Sequence, residues 1–278
     1  MRKSFAHNPG PLVIGVIRER NVRDAIAAIK NAALHGATGI DLHLSCLDED
    51  CKNRESIAEI VNSCDLPILA LNYNQTYDYK GCDTDEESRI ELLLTAVEAG
   101  VAAIDMQAYS YDLPSKYHFR EEFKDCGLSF TKGDPKEIVV DEAVIEKQKA
   151  LIQKVHDMGA EVLISCHPMV PMTAEQVTDL AKHLYDRGPD VIKIVTWADT
   201  EADLHESIRS ILKLKETITD IPVHCHAAGK AGQLSRVINP ILGGYLLFCN
   251  DGFTASSNFS QPDLQTVRSI IDNVKKTL

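Results

Sequence analysis

Two residues of neighbouring apolar runs carry the first chemical signal in this 278-residue chain. His167 closes the run Glu161-Val-Leu-Ile-Ser-Cys-His167, and Lys193 lies inside Val191-Ile-Lys-Ile-Val-Thr-Trp197. A lysine in so apolar a run is costly as a cation, because burial disfavours the charged form. The neutral amine is a nucleophile that can condense with a ketone as a Schiff base. A histidine brought to the same place by the preceding strand can move protons near neutral pH. Together they point to imine-based lyase chemistry. Taken singly, each has a plainer reading: a lysine whose amine reaches outward to water, and a histidine bonded to a backbone carbonyl.

Such residues need elements to position them. Eight short apolar or β-branched runs recur: Leu12–Ile17, Gly39–Ser45, Pro67–Tyr73, Ala102–Ala108, Glu161–His167, Val191–Trp197, Pro222–Ala228 and Tyr245–Cys249. Most of their starts are 24 to 35 residues apart, the length of a strand–loop–helix–loop unit. Helical patterns fill the gaps at Asp24–His35, from Thr173 toward Tyr185, at Asp199–Lys215 and at Pro262–Lys276. Thr173-Ala-Glu-Gln176 reads as a capping box. Continuous apolar strands alternating with helices imply a parallel sheet covered on both faces. The expectation is an α/β fold, a (β/α)8 TIM barrel, with residues 1–278 as a single domain. One interval is long: 59 residues separate Ala102 from Glu161, which predicts an insertion after strand 4 at about 109–140. It holds Tyr109, Tyr111, Tyr117, Phe119, Phe123 and Phe130 among charges, and it would leave the face where barrel sites sit. A lid and an oligomer contact are equal expectations for it.

Alternation along strands places further polar groups beside the pair. If Lys193 points inward, so do Val191, Val195 and Trp197. Asp41 and His43 share one face of the second run, and His224, His226 and Ala228 share one face of the seventh. Gly229-Lys-Ala-Gly232 and Ser235-Arg236 follow the seventh run, and Thr254 to Gln261 follows the eighth. For His224 a hydrogen-bonded place in the core is the simpler reading. Gly229–Gly232 matches no phosphate motif and reads as a tight turn, as does Gly243-Gly244.

Composition limits the alternatives. The chain is 44% hydrophobic and 25% charged, an ordinary globular balance. A net charge of −12 argues against nucleic acid or an anionic membrane as partner, while leaving room for an anionic small molecule held by one local cation. None of the eight cysteines (Cys46, Cys51, Cys64, Cys82, Cys126, Cys166, Cys225, Cys249) forms a C-x-x-C pair, so free thiols in a reduced compartment are expected. No run approaches the roughly 20 apolar residues of a membrane span, and the apolar run Pro11 to Ile17, ended by Arg18-Glu-Arg20, is too short for a signal segment, so none is expected. A cytoplasmic protein is expected.

The stretch Val162-Leu-Ile-Ser-Cys-His167, then the Thr173 helix, then Val191-Ile-Lys193-Ile, resembles type I 3-dehydroquinate dehydratase. Pro222-Val, Gly229-Lys-Ala-Gly232 and Ser235-Arg236 are similar to that family's seventh unit. Ala255-Ser256, Gln261 and Asp263-Leu-Gln-Thr-Val267 are similar to its last loop and helix. The resemblance runs from about Leu12 to the C-terminus and is strongest in the C-terminal half. It implies a carbon–oxygen lyase of the shikimate pathway that eliminates water from a cyclic keto acid without a cofactor or metal. Lys193 would form the imine and His167 would act as general acid and base. Arg236 would pair with the substrate carboxylate, and Ser256 and Gln261 would orient the ring. A homodimer is the assembly expected.

This chain departs from the family at the other end of the substrate. The family carries Glu and Arg where Asp41 and His43 stand. It has an arginine and then a histidine-orienting glutamate at positions best matched by Tyr73 and Tyr77. A site built for particular hydroxyls discriminates strongly, so the chemistry could be kept while the substrate differs. Two alternatives stay open. One is a lyase or aldolase on another keto or sugar acid. Val223-His-Cys-His226 resembles the H-x-H strand of metal-dependent lyases of the hydroxymethylglutaryl lyase type, so a divalent ion on Asp41, His43, His224 and His226 belongs to that reading. The other is a catalytically silent keto-acid binder. In the simplest case Asp41, His43, Tyr73, Tyr77 and His226 contact substrate in place of the missing groups.

Overall fold

The computed structural model describes residues 3–73, 85–255 and 257–276. Among the described residues eight parallel strands form one sheet in the order β7-β6-β5-β4-β3-β2-β1-β8, and eight α-helices alternate with them. That alternation is the (β/α)8 barrel fold. Among the described residues no helix is long and apolar enough to cross a membrane.

The chain divides into two compact units. The first comprises Met1–Asp105, Val155–Glu161 and Leu246–Leu278. It contains β1 (Leu12–Ile17), β2 (Gly39–His43), β3 (Ile68–Leu71) and β8 (Leu246–Cys249), with helices α1 (Val22–Leu34), α2 (Arg54–Val61), α3 (Glu86–Ala99) and α8 (Leu264–Lys275). β4 (Ala103–Gln107) begins in it. Every residue of β1 is buried, as a strand covered on both faces requires. Gly15 lets α1 approach: a Cβ there would lie 2.8 Å from the Ala32 Cβ. Asn21, Asn53, Asp85 and Asp263 cap their helices by accepting a backbone N–H three residues on. The start of the chain is tied to Glu161, whose carboxylate accepts the N–H groups of Phe5 at 2.6 Å and Ala6 at 2.7 Å.

The second unit comprises Met106–Lys154 and Val162–Tyr245. It contains most of β5 (Glu161–Cys166), then β6 (Val191–Trp197) and β7 (Val223–Ala228), together with most of α4 (Glu142–Asp157) and with α5 (Ala174–Tyr185), α6 (Glu201–Thr217) and α7 (Ser235–Ile241). The capping box at Thr173 and Gln176 is present, and Thr200 with Asp203 forms a second. The register sets Ser165 beside Lys193, Lys193 beside His224 and Val195 beside His226.

Between β4 and α4 the chain makes three short 3-10 turns, Leu113–Lys116, Glu121–Phe123 and Ser129–Thr131. This segment is packed. Tyr109, Phe119, Phe130, Ile138 and Val139 are buried. The Gln148 amide of α4 donates to the Ala108 and Ser110 carbonyls, and the Gln176 amide of α5 donates to the Ser129 carbonyl. The Phe130 ring lies 5.2 Å from that of His183. The described cysteines are free, and Cys126, within this segment, is the exposed one among them.

Candidate active site

In the second unit His167 immediately follows β5, and Lys193 is the third residue of β6. The Lys193 Nζ lies 3.1 Å from the His167 Nε2. The opposite ring nitrogen, Nδ1, lies 2.8 Å from the Glu137 carboxylate, and the same oxygen accepts the His167 backbone N–H at 2.8 Å. An ionised carboxylate only accepts, so Nδ1 carries a proton and the lone pair of the neutral ring falls on Nε2, facing the amine. Lys193 is 7% exposed and Glu137 1%.

Glu137 comes from the end of the β4–α4 segment, and no sequence pattern singled it out. The expected site of a histidine-orienting acid, Tyr77, lies outside the described residues. Glu137 has φ +61, a left-handed conformation costing on the order of 1–3 kcal/mol in a non-glycine residue. The surroundings impose it. Its N–H donates to the Ser115 carbonyl at 2.6 Å, and its own carbonyl lies 3.5 Å from the Cys166 thiol. Two residues on, the Arg187 guanidinium donates to the Val139 carbonyl at 2.8 Å. The only advance signal was an acid within a segment too long for a normal unit.

Three more polar residues complete this group. His224 Nε2 lies 3.0 Å from His226 Nδ1, and both rings are buried. Burial pushes His224 down to about 3, with Lys193 and Arg236 adding to the effect. His226 is held well below its ordinary value by burial first and then by the Arg236 guanidinium. Arg236, the second residue of α7, is lowered by burial to about 10. Its Nε has no hydrogen-bond partner among the described residues. Gly244 allows the close approach of His224, since a Cβ there would lie 2.9 Å from the His224 Nδ1.

The first unit holds the remaining candidates. His43 Nε2 lies 3.1 Å from an Asp41 carboxylate oxygen, with both side chains buried. The Tyr73 ring meets His43 edge-on at 5.9 Å and lines a polar cavity of about 280 Å³ with Ser45, Lys52 and Asn72. Gln261 accepts from Arg18, just beyond β1, at 2.8 Å, and Arg18 also reaches the Asn250 side chain at 3.3 Å. Arg18 is a second residue that the sequence did not single out. Ser256 lies outside the described residues. Among the described residues no group of three or more His, Cys, Asp and Glu side chains is gathered to hold a metal ion.

Residues 16–277 match the family model described as type I 3-dehydroquinase. The chain belongs to the type I 3-dehydroquinase family. Relatives named 3-dehydroquinate dehydratase are similar over part of their length. The one from Desulfotalea psychrophila is 26% identical over 165 residues, covering 59% of this chain and 58% of the relative. The one from Salmonella paratyphi B is 24% identical over 128 residues, covering 45% of this chain and 51% of the relative. The matched region thus spans a little over half the length of these relatives. The fold is also similar to that of solved 3-dehydroquinate dehydratases. A 3-dehydroquinate dehydratase from Geobacillus kaustophilus gives a TM-score of 0.73 at 11% identity, covering 98% of this chain and 93% of its own. One from Clostridium difficile, with covalently modified comenic acid, gives 0.71 at 16% identity, covering 98% and 95%.

Proposed function

We propose that this protein is a Schiff-base dehydratase of the 3-dehydroquinate dehydratase type. The observation that carries the reading is the line Glu137–His167–Lys193. It joins a buried carboxylate, a ring of fixed tautomer and an amine through contacts of 2.8 and 3.1 Å. Family membership and the covalent adduct named for the C. difficile relative support it.

In the proposed reaction the Lys193 amine adds to the ketone carbon, and loss of water gives an iminium ion. The iminium withdraws electrons from the neighbouring carbon, so His167 Nε2 can remove a proton there and leave an enamine. The enamine then expels the β-hydroxyl, which takes that proton from His167 and leaves as water. Addition of water to the remaining iminium releases the enone and regenerates Lys193. Glu137 keeps Nδ1–H pointed at itself and stabilises the imidazolium formed between the two steps. Arg236 pairs with the substrate carboxylate, and Ser256 and Gln261 orient the ring, as the resemblance implies.

Asp41 and His43, in contact at 3.1 Å, with Tyr73 beside them, stand where the family uses a glutamate and arginines. They favour a second reading, the same chemistry on a related cyclic keto acid, with these residues and Tyr77 meeting its hydroxyls. Mass spectrometry after borohydride reduction tests both. An adduct on Lys193 with product from 3-dehydroquinate supports the first, and an adduct and product only from another keto acid support the second. Adduct without product would mean a binder, and no adduct with any ketone would remove the imine mechanism.

A further inference from the structure

We propose that His226, oriented by His224, is a specificity-determining residue that reads an uncharged hydroxyl of the substrate through its Nε2. This rests on the imine reading given above. Three observations carry it. The strand register sets His224 beside Lys193 and His226 beside Val195, two residues further toward the strand end where barrel enzymes place their chemistry. Alternation therefore turns both imidazoles to the face that bears the amine. His226 is 3% exposed, yet its Nε2 has no hydrogen-bond partner among the described residues, while its Nδ1 is engaged by His224 at 3.0 Å. A polar atom kept in so dry a place asks for a partner that arrives with a ligand.

The chemistry of that partner follows from the neighbours. Arg236 already supplies positive charge, and the depression of both imidazoles, caused first by burial, keeps them neutral. A neutral ring adds no charge for a carboxylate, which Arg236 serves better. It is suited to a hydroxyl, which both donates and accepts. The histidine pair can meet either demand. If His226 Nδ1–H donates to His224, its Nε2 accepts; if His224 Nε2–H donates to His226, its Nε2 donates. His224 thus acts through His226. Gly244 gives it room, because a side chain there would press on its Nδ1.

The test uses the full chain with the keto acid that wild type turns over, starting from 3-dehydroquinate. His226→Leu is expected to lower kcat/KM by about tenfold, the worth of one neutral hydrogen bond, while borohydride still traps the adduct on Lys193. His226→Gln, which restores a neutral hydrogen-bonding group, is expected to recover most of the loss. His224→Leu is expected to fall between them. Should His226→Leu fail to fold, the 15N spectrum of the wild-type imidazoles decides: the His226 Nε2 resonance shifts on adding substrate if the inference holds. Wild-type kinetics in His226→Leu, or an unmoved resonance, would overturn the inference and leave the imine reading intact. If wild type itself traps no keto acid, the imine reading fails and this inference fails with it.

Discussion

One oxygen of Glu137 holds His167 at two points, accepting its backbone N–H and its ring Nδ1–H, each at 2.8 Å. The ring is therefore fixed in position and tautomer by a residue 30 positions earlier in the chain. Glu137→Gln exchanges an obligate acceptor for a group that can donate, which favours the tautomer with its hydrogen on Nε2. A loss of about 10–100-fold in kcat is expected, the usual cost of an outer-shell orienting partner. The borohydride adduct on Lys193 should still form. Unchanged kcat would remove Glu137 from the proton path.

Replacing the reacting residues should separate the steps. Lys193→Ala is expected to abolish the adduct and reduce turnover to background. His167→Ala should lower kcat by about 10²–10⁴-fold, the range of general acid–base catalysis, with the adduct still detectable by mass. An adduct that survives Lys193→Ala would place the imine elsewhere.

Acid should weaken the fold through β7. His224 is lowered from 6.5 to about 3, and His226 is lowered as well. As pH falls through that window the unfolded chain takes up protons that the native rings refuse, so stability falls between about pH 6.5 and about pH 3. Each unit of depression corresponds to about 1.4 kcal/mol. Urea midpoints at pH 7 and pH 4.5 measure the fall. The double variant His224→Gln, His226→Gln should show a shallower dependence than wild type, and an equal slope would contradict the assignment.

Phe130 is a test of the packed segment after β4. It is 2% exposed and lies against His183 of α5. Phe130→Ala should cost about 3–5 kcal/mol, as for other buried aromatic truncations, and it should loosen the chain that ends at Glu137. Thermal melts and kcat should fall together. Loss of stability with full activity would mean that Glu137 is held independently of this packing.

The fold was legible because it rests on periodicity. β1 and β6 fall on the residues expected, and the other strands differ by one or two residues at one or both ends, as with Pro67–Tyr73 against Ile68–Leu71. Gly39–Ser45 shortens because the chain turns into a 3-10 helix from Leu44. Proximity of His167 to Lys193 was legible too, because the two runs are consecutive parallel strands, with Lys193 level with Ser165 and His167 two residues further on. Glu137 was not. Its position depends on a left-handed residue, on Ser115, and on an arginine in the turn after α5, and none of these has a local sequence pattern. Arg18 escaped notice for a similar reason, since its partners Asn250 and Gln261 lie more than 230 residues away.

Cys126 gives that segment an experimental handle. It is the exposed thiol among the described cysteines, while burial raises the thiols of Cys46, Cys166, Cys225 and Cys249 and slows their reaction with electrophiles. A maleimide dye on Cys126 would therefore sit on the stretch of chain that delivers Glu137. Its anisotropy could follow, in real time, whether that stretch stiffens as a keto acid is captured.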